Sequence, residues 1–308
     1  MPRIRLPASS LARAICSITA AQAQEFNHFI AIGDSLSDSG NIALVSGLPP
    51  GNSFTTNPDP VASQLIANAF GLTANPSLAM GTDFAFGGAC VRSTGLTGPC
   101  LNAVPTLGTQ INQYLAANGG HADAHSLYSY WGGANDIFGN LTFAGGGFIT
   151  AAQVQANVVQ SAKDANTQIA QLHTAGAGNI IVFNLPDLGR TPQFNANPLI
   201  HPTATKLALL YNGQLNAGLS GKTGIIAVDT FGLFNEIIAN PAAYGFTNTT
   251  TPACGVGSSS VACGPAGSGL PFTYAPGTNQ TFVFADGVHP TGGAHAVLSQ
   301  YVIAEIQA

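Results

Sequence analysis

Charge is what this sequence has least of. Asp, Glu, Lys and Arg together make up 7% of the 308 residues, against about a quarter in an average soluble domain. Ser, Thr, Asn, Gln and Gly are plentiful, so a neutral, polar surface is expected. Three of the eight basic residues, Arg3, Arg5 and Arg13, lie in the first 23 positions, and without them five basic residues face thirteen acidic ones, a net of −8. That balance argues against nucleic acid and against anionic membranes as partners. No run of eighteen or more apolar residues occurs, so no transmembrane segment is expected. Cysteine is scarce too. None of the five stands in a C-x-x-C or His/Cys cluster with zinc spacing, which leaves no metal site to expect.

The basic residues at the start precede a modest apolar stretch that ends in Ala21-Gln22-Ala23, the pattern of a signal peptide with an A-x-A-like cleavage site. Residues 1–23 are therefore expected to be a signal peptide, residues 24–308 a single domain, and the protein secreted or periplasmic. Cys16 would leave with the signal. The other four cysteines fall into two local pairs, Cys90 with Cys100 and Cys254 with Cys263, each inside a Gly/Ser/Pro-rich segment, and two short-range disulfides are expected.

What is present is organised around residues 26–41, FNHFIAIGDSLSDSGN. Phe29, Ile30 and Ile32 read as a buried strand that breaks at Gly33 into a tight polar turn. The ends of such strands are where α/β enzymes hold reactive groups, and Ser35 is the candidate nucleophile. A serine hydroxyl needs a base and a group to orient that base. FADGVHPT at 284–291 offers Asp286 and His289, three apart. If they share one turn, the carboxylate reaches one ring nitrogen while the other faces Ser35. Asp34 and Asp38 flank Ser35 and are expected to hold its turn through hydrogen bonds to the backbone. His295, on the helix that follows His289, has no acid three residues ahead of it. His121 and His125 have no third ligand nearby.

Further along, strand and helix patterns alternate. Val61–Phe70 reads as a helix, Asp83–Phe86 as a short β-like segment running into Gly87-Gly88, and Ser126–Trp131 as a strand running into Gly-Gly-Ala-Asn-Asp. Ala151–Ala175 carries apolar residues three or four apart. Asn179–Leu185 is apolar throughout, as buried parallel strands are. A helix over about 203–219, a strand over 224–230 and a helix over 294–306 complete the pattern. Leu44–Pro60, rich in Gly, Pro, Asn and Thr, reads as an exposed loop. Residues 245–281 form a loop of a length uncommon without a function or a covalent tie, and Cys254 and Cys263 could provide the tie. This alternation predicts a doubly wound, mainly parallel sheet of about five strands with helices on both faces, a three-layer α/β sandwich. Its ligand site should lie at the C-terminal ends of the strands, with the Asp286–His289 loop also following one of them.

The GDSLSDSGN, DFAFGGA, YSYWGGAND and FADGVHPT blocks, in this order, together with VFNLPDLGRTP at 182–192, resemble the GDSL (SGNH) family of serine esterases and lipases. The resemblance implies the flavodoxin-like SGNH-hydrolase fold. It also implies a triad of Ser35, Asp286 and His289 and an oxyanion hole of the Ser35 and Gly88 backbone N–H groups with the Asn135 amide, a chemistry that needs no cofactor. One departure is visible: the glycine block opens with Asp83 where the family usually has Asn, and a carboxylate accepts hydrogen bonds without donating any. Some relatives carry a C-terminal outer-membrane barrel, which is not expected within this chain. The expected activity is cleavage of carboxylic esters, of small molecules or lipids, through an acyl-enzyme on Ser35. Polysaccharide deacetylation or acyl transfer on the same site is the alternative, and a non-catalytic secreted binding protein is the reading from another class. Phe138, Leu141, Phe143 and Phe148, which follow Asn135, are either buried packing or candidates for an acyl-binding wall. Oligomeric state is not legible.

Overall fold

The computed structural model describes residues 25–92 and 104–308. The signal-peptide reading and the partner expected for Cys90, Cys100, lie outside the described residues.

Four short parallel strands, β1 (Phe29–Gly33), β2 (Leu127–Trp131), β3 (Asn179–Phe183) and β4 (Ile225–Val228), pair in that order. A fifth position is filled without a full ladder. Residues 82–86 run along the free edge of β1: Ala31 N–H donates to the Thr82 carbonyl, and the Phe84 and Phe86 N–H groups donate to the carbonyls of Ala31 and Gly33. In chain order the positions therefore read 2-1-3-4-5 across the sheet. The order reverses beside β1, and open α/β sheets bind ligands at such a reversal.

Side chains alternate between the two faces of the sheet, as the two-residue period of a strand requires. Ile30, Ile32, Tyr128, Tyr130, Ile180 and Val182 join one core cluster, while Phe29, Ala31, Leu127, Trp131, Ile181 and Phe183 join the other. Both faces of every central strand are thus buried, which explains runs such as NIIVF. Each large apolar side chain fully buried in this way contributes roughly 1.5–3 kcal/mol. Helices α1 (Asn41–Val45) and α2 (Ala62–Ala69) follow β1, and α3 (Leu107–Ala117) leads to β2. Helix α4 (Ala134–Gly145) leaves β2, and α5 (Ala151–Ala175), α6 (His201–Leu219), α7 (Thr230–Ala239) and α8 (Gly292–Ile306) follow in order.

Helix α5 spans the range its periodicity predicts, and Val154, Val158, Ala162, Ala165, Ile169 and Leu172 are all buried on it. Thr150 accepts a hydrogen bond from the Gln153 N–H and the Gln153 side chain accepts from the Thr150 N–H, a capping box that sets its start.

Two expectations are corrected. Leu44–Pro60 is not an exposed loop throughout, since Asn52, Ser53, Thr55, Thr56 and Asn57 are buried. Their polarity is satisfied internally: Asn57 Nδ2 donates to the carbonyls of Ser53, Ser260 and Cys263, and Asn52 Nδ2 to that of Val261. A polar segment can be buried when its groups find partners, which composition alone does not reveal. Nor does the Asp286–His289 loop follow a strand of the main sheet. It is the turn of a small hairpin, closed by an antiparallel bridge between Phe284 and Pro290 and by the Ala285 N–H donating to the His289 carbonyl. The long loop before it has its expected tie, a Cys254–Cys263 disulfide. Among the described residues no helix is long and apolar enough to cross a membrane.

Candidate active site

The turn after β1 is built by its own aspartates. Asp34 Oδ1 accepts from the Leu36 N–H at 3.0 Å. The Asp38 carboxylate accepts from the N–H groups of Gly40, Asn41 and Ile42, and also from Gly87 at 2.8 Å. One carboxylate thereby ties the Ser35 turn to the glycine block. Asp83, where Asn is usual, is fully buried and only accepts: Oδ2 from Ser39 N–H and Oδ1 from Ala85 N–H. Asn41 Nδ2 donates to the carbonyls of Asp83 and Ala85. The donor that Asp83 lacks is not missed in this geometry. Burial raises the Asp83 and Asp38 carboxyls above the ordinary range, and brings Asp34 up to about 7.

Asp286 and His289 share one turn. Asp286 Oδ1 accepts from the N–H groups of Val288 and His289, and His289 Nδ1 lies 2.9 and 2.8 Å from the two carboxylate oxygens. Because an ionised carboxylate only accepts, Nδ1 carries the proton. The other nitrogen, Nε2, then accepts from Ser35 Oγ, 2.8 Å away. Burial works against the charge on Asp286, but the adjacent ring and the backbone N–H groups outweigh it and hold the carboxyl well below its usual range. Burial likewise lowers His289, yet the Asp286 charge and hydrogen bond, with the Asp34 charge behind them, bring it above the ordinary imidazole value.

The three oxyanion candidates come from three chain segments. Gly88 has φ +82°, and Gly133, with φ +117°, caps α4 where a Cβ would sit 2.5 Å from the Tyr211 ring. Both positions need the left-handed backbone that glycine tolerates. Gly133 places Asn135 on the first turn of α4, where Nδ2 donates one hydrogen to the Ala89 carbonyl at 2.9 Å and keeps the second. Asp136, beside it, accepts from Val91 N–H and Ser161 Oγ and is brought up to about 6 by burial. Among the described hydrogen bonds, the N–H groups of Ser35 and Gly88 have no protein acceptor.

Ser35, Gly88, Asn135 and His289 all line one cavity of about 250 Å³. Its walls are mostly apolar, with Trp131 of β2, Leu233, Phe234 and Ile237 of α7 and Leu298 of α8 on one side. Of the four candidates for an acyl wall, only Phe138 lines it. Leu141 packs on the core, and Phe143 faces Phe148 at 5.7 Å with Phe148 76% exposed. The C-terminal half of helix α4 contributes nothing to the lining, which α7 and α8 supply instead. Phe54, from the buried polar segment, also lines the cavity, with its ring 4.9 Å from that of His289. Nothing in its local sequence singles it out.

His295 is held away from Ser35. It is fully buried, and Nδ1 accepts from the Ala62 N–H at 3.1 Å. Burial lowers it to about 3, so it stays neutral in the folded protein while an unfolded chain protonates it below about pH 6.5. Stability should therefore fall as pH drops from 6.5 toward 3. His295→Asn retains an acceptor near Nδ1 and removes the titration. Urea unfolding at pH 7 and pH 4 should show the wild type losing about 3 kcal/mol more than the variant over that interval. Equal losses would mean that His295 is not a buried neutral group.

Lipase 1 of Photorhabdus luminescens is 28% identical over 97% of this chain and 52% of its own length. Esterase EstA of Pseudomonas aeruginosa is 26% identical over 98% of this chain and 50% of its own length, and the thermolabile hemolysin of Vibrio parahaemolyticus 25% identical over 92% and 65%. The chain spans about half the length of the first two. The sequence model of the family described as GDSL-like lipase/acylhydrolase matches residues 29–302, nearly all of the described fold, and the chain belongs to that family.

Proposed function

We propose that the chain hydrolyses carboxylic esters through an acyl-enzyme on Ser35. The observation that carries the reading is the continuous Ser35–His289–Asp286 hydrogen-bonded line, with Ser35 and His289 lining a largely apolar cavity. Ser35 Oγ attacks the ester carbonyl while His289 Nε2 takes its proton. Asp286 keeps Nδ1 protonated and balances the imidazolium charge. The negative oxygen of the tetrahedral intermediate is met by the Ser35 and Gly88 N–H groups and the remaining Asn135 N–H, dipoles already oriented before charge develops. His289 returns the proton to the leaving alcohol, water then attacks the acyl-enzyme by the same route, and Ser35 is regenerated.

The wall formed by Trp131, Leu233, Phe234, Ile237 and Leu298 suits an aliphatic acyl chain. Each methylene buried there should contribute about 0.8 kcal/mol, or roughly fourfold in kcat/KM. With p-nitrophenyl esters from acetate upward, efficiency should rise until the wall is covered, and Ile237→Trp should end the rise earlier. A strict preference for acetate in the wild type would favour the deacetylase reading. Export, with residues 1–23 as a signal peptide, belongs to the same proposal and is supported by the Cys254–Cys263 bridge, since disulfides persist in oxidising compartments.

A further inference from the structure

The Asp286 carboxylate is held from two directions. Oδ1 is gripped by its own turn, through the N–H groups of Val288 and His289. Oδ2, besides facing His289, accepts the backbone N–H of Ser260 at 2.8 Å, 26 residues away in the chain. Among the described residues, that bond is the one from outside the turn. Without it, the carboxylate is held by its own turn through Oδ1, and Oδ2 keeps only the His289 ring as a partner.

The donor sits on a clamped loop. Ser260 is fully buried and begins a one-turn 3-10 helix, Ser260–Ala262, inside the loop closed by the Cys254–Cys263 disulfide. Cys254 N–H donates to the Ala285 carbonyl, next to Asp286. On the other side, Asn57 Nδ2 donates to the carbonyls of Ser260 and Cys263, the Asn57 N–H donates to Cys263 as well, and Tyr274 Oη donates to the Asn57 carbonyl. Asn57 stands three residues after Phe54, whose ring packs on His289. One cross-linked unit thus touches both the acid and the base of the site.

We propose that the disulfide-closed loop 254–263 is a positioning element of the catalytic site, acting through the Ser260 backbone N–H on Asp286. The proposal rests on the reading of Asp286 as the triad acid. It assigns no contact with substrate to Ser260, so it predicts an effect on turnover and none on binding.

Ser260→Pro tests it directly. Proline has no N–H, and the first position of a helical turn is where that loss is tolerated. The preceding Ser259 is extended, with φ −117° and ψ 120°, the conformation a residue before proline favours. Ser260 Oγ has no hydrogen-bond partner among the described residues, so losing the hydroxyl removes no bond. Sites are counted by organophosphonate titration and kcat is expressed per titrated site. Ser260→Pro should lose about tenfold or more in kcat with KM within twofold. Ser260→Ala, the conservative variant that keeps the N–H, should restore turnover. Should Ser260→Pro yield no titratable sites, the paired variant Cys254→Ala with Cys263→Ala frees the loop and should lower kcat per site in the same way. Wild-type kcat per site in either variant, with Asp286→Asn inactive, overturns the positioning role. Wild-type kcat in Asp286→Asn overturns the triad reading instead.

Discussion

Ser35→Ala and His289→Ala are each expected to lower kcat by about 10⁴- to 10⁶-fold, and the double variant to lose little beyond either single one. Non-additivity follows from the geometry. Nε2 accepts from Oγ at 2.8 Å, so a base without its nucleophile and a nucleophile without its base are both idle. Hydrolysis of a p-nitrophenyl ester by each variant, with folding checked by thermal melting, decides the matter, and normal turnover in Ser35→Ala would sink the mechanism. The same unit sets the pH dependence. His289 must be neutral to take the proton, and its net pKa shift is upward because Asp286 outweighs burial. The acid limb of kcat/KM should therefore lie above the ordinary histidine value near 6.5, and activity should fall about tenfold per pH unit below it.

Asn135→Ala carries the second-largest expected effect, a loss of about 10²- to 10³-fold in kcat with KM little changed. A capping role would predict the opposite pattern, about 1 kcal/mol of stability and normal turnover. The structure offers no geometry for capping: Gly133 occupies the cap position of α4, and Asn135 Nδ2 donates to the Ala89 carbonyl. That bond fixes the amide plane and aims its second hydrogen. Asn135→Asp should be worse than alanine, since it sets a negative charge where the oxyanion forms. Steady-state kinetics beside melting curves for both variants separate the roles; near-normal kcat with a lowered Tm would return Asn135 to the cap.

The legible parts share a physical cause. Strands β1 to β3 and helix α5 could be read because burial on two sheet faces or along one helix stripe imposes a repeat on the residues themselves. Ser35, Asp286 and His289 could be picked out as candidates from residue type and spacing, and Gly88 and Asn135 through the family resemblance of the blocks that hold them. Asp34 and Asp38 shape the Ser35 turn, and the three-residue step from Asp286 to His289 lets a single turn join them. The expected acyl wall did not survive as a group. Proximity in sequence to Asn135 carried Phe138 into the cavity, but α4 then leads Phe143 and Phe148 away from it.

By itself, then, the sequence determined the alternating α/β layers, the candidate blocks that meet at the cavity and the pairing of Cys254 with Cys263. Only the tertiary structure decided what closes around those blocks: the α7 and α8 wall, the Phe54 ring on His289, the burial of Asn52, Ser53, Thr55, Thr56 and Asn57, and the Ser260 N–H on Asp286. The reason is the kind of interaction involved. A backbone N–H is the same for every residue but proline, and an apolar wall accepts many side chains, so neither writes a distinctive residue into the chain at the point where it acts. Such contacts join segments 26 to more than 200 residues apart, and it is the folded path of the chain that brings them together.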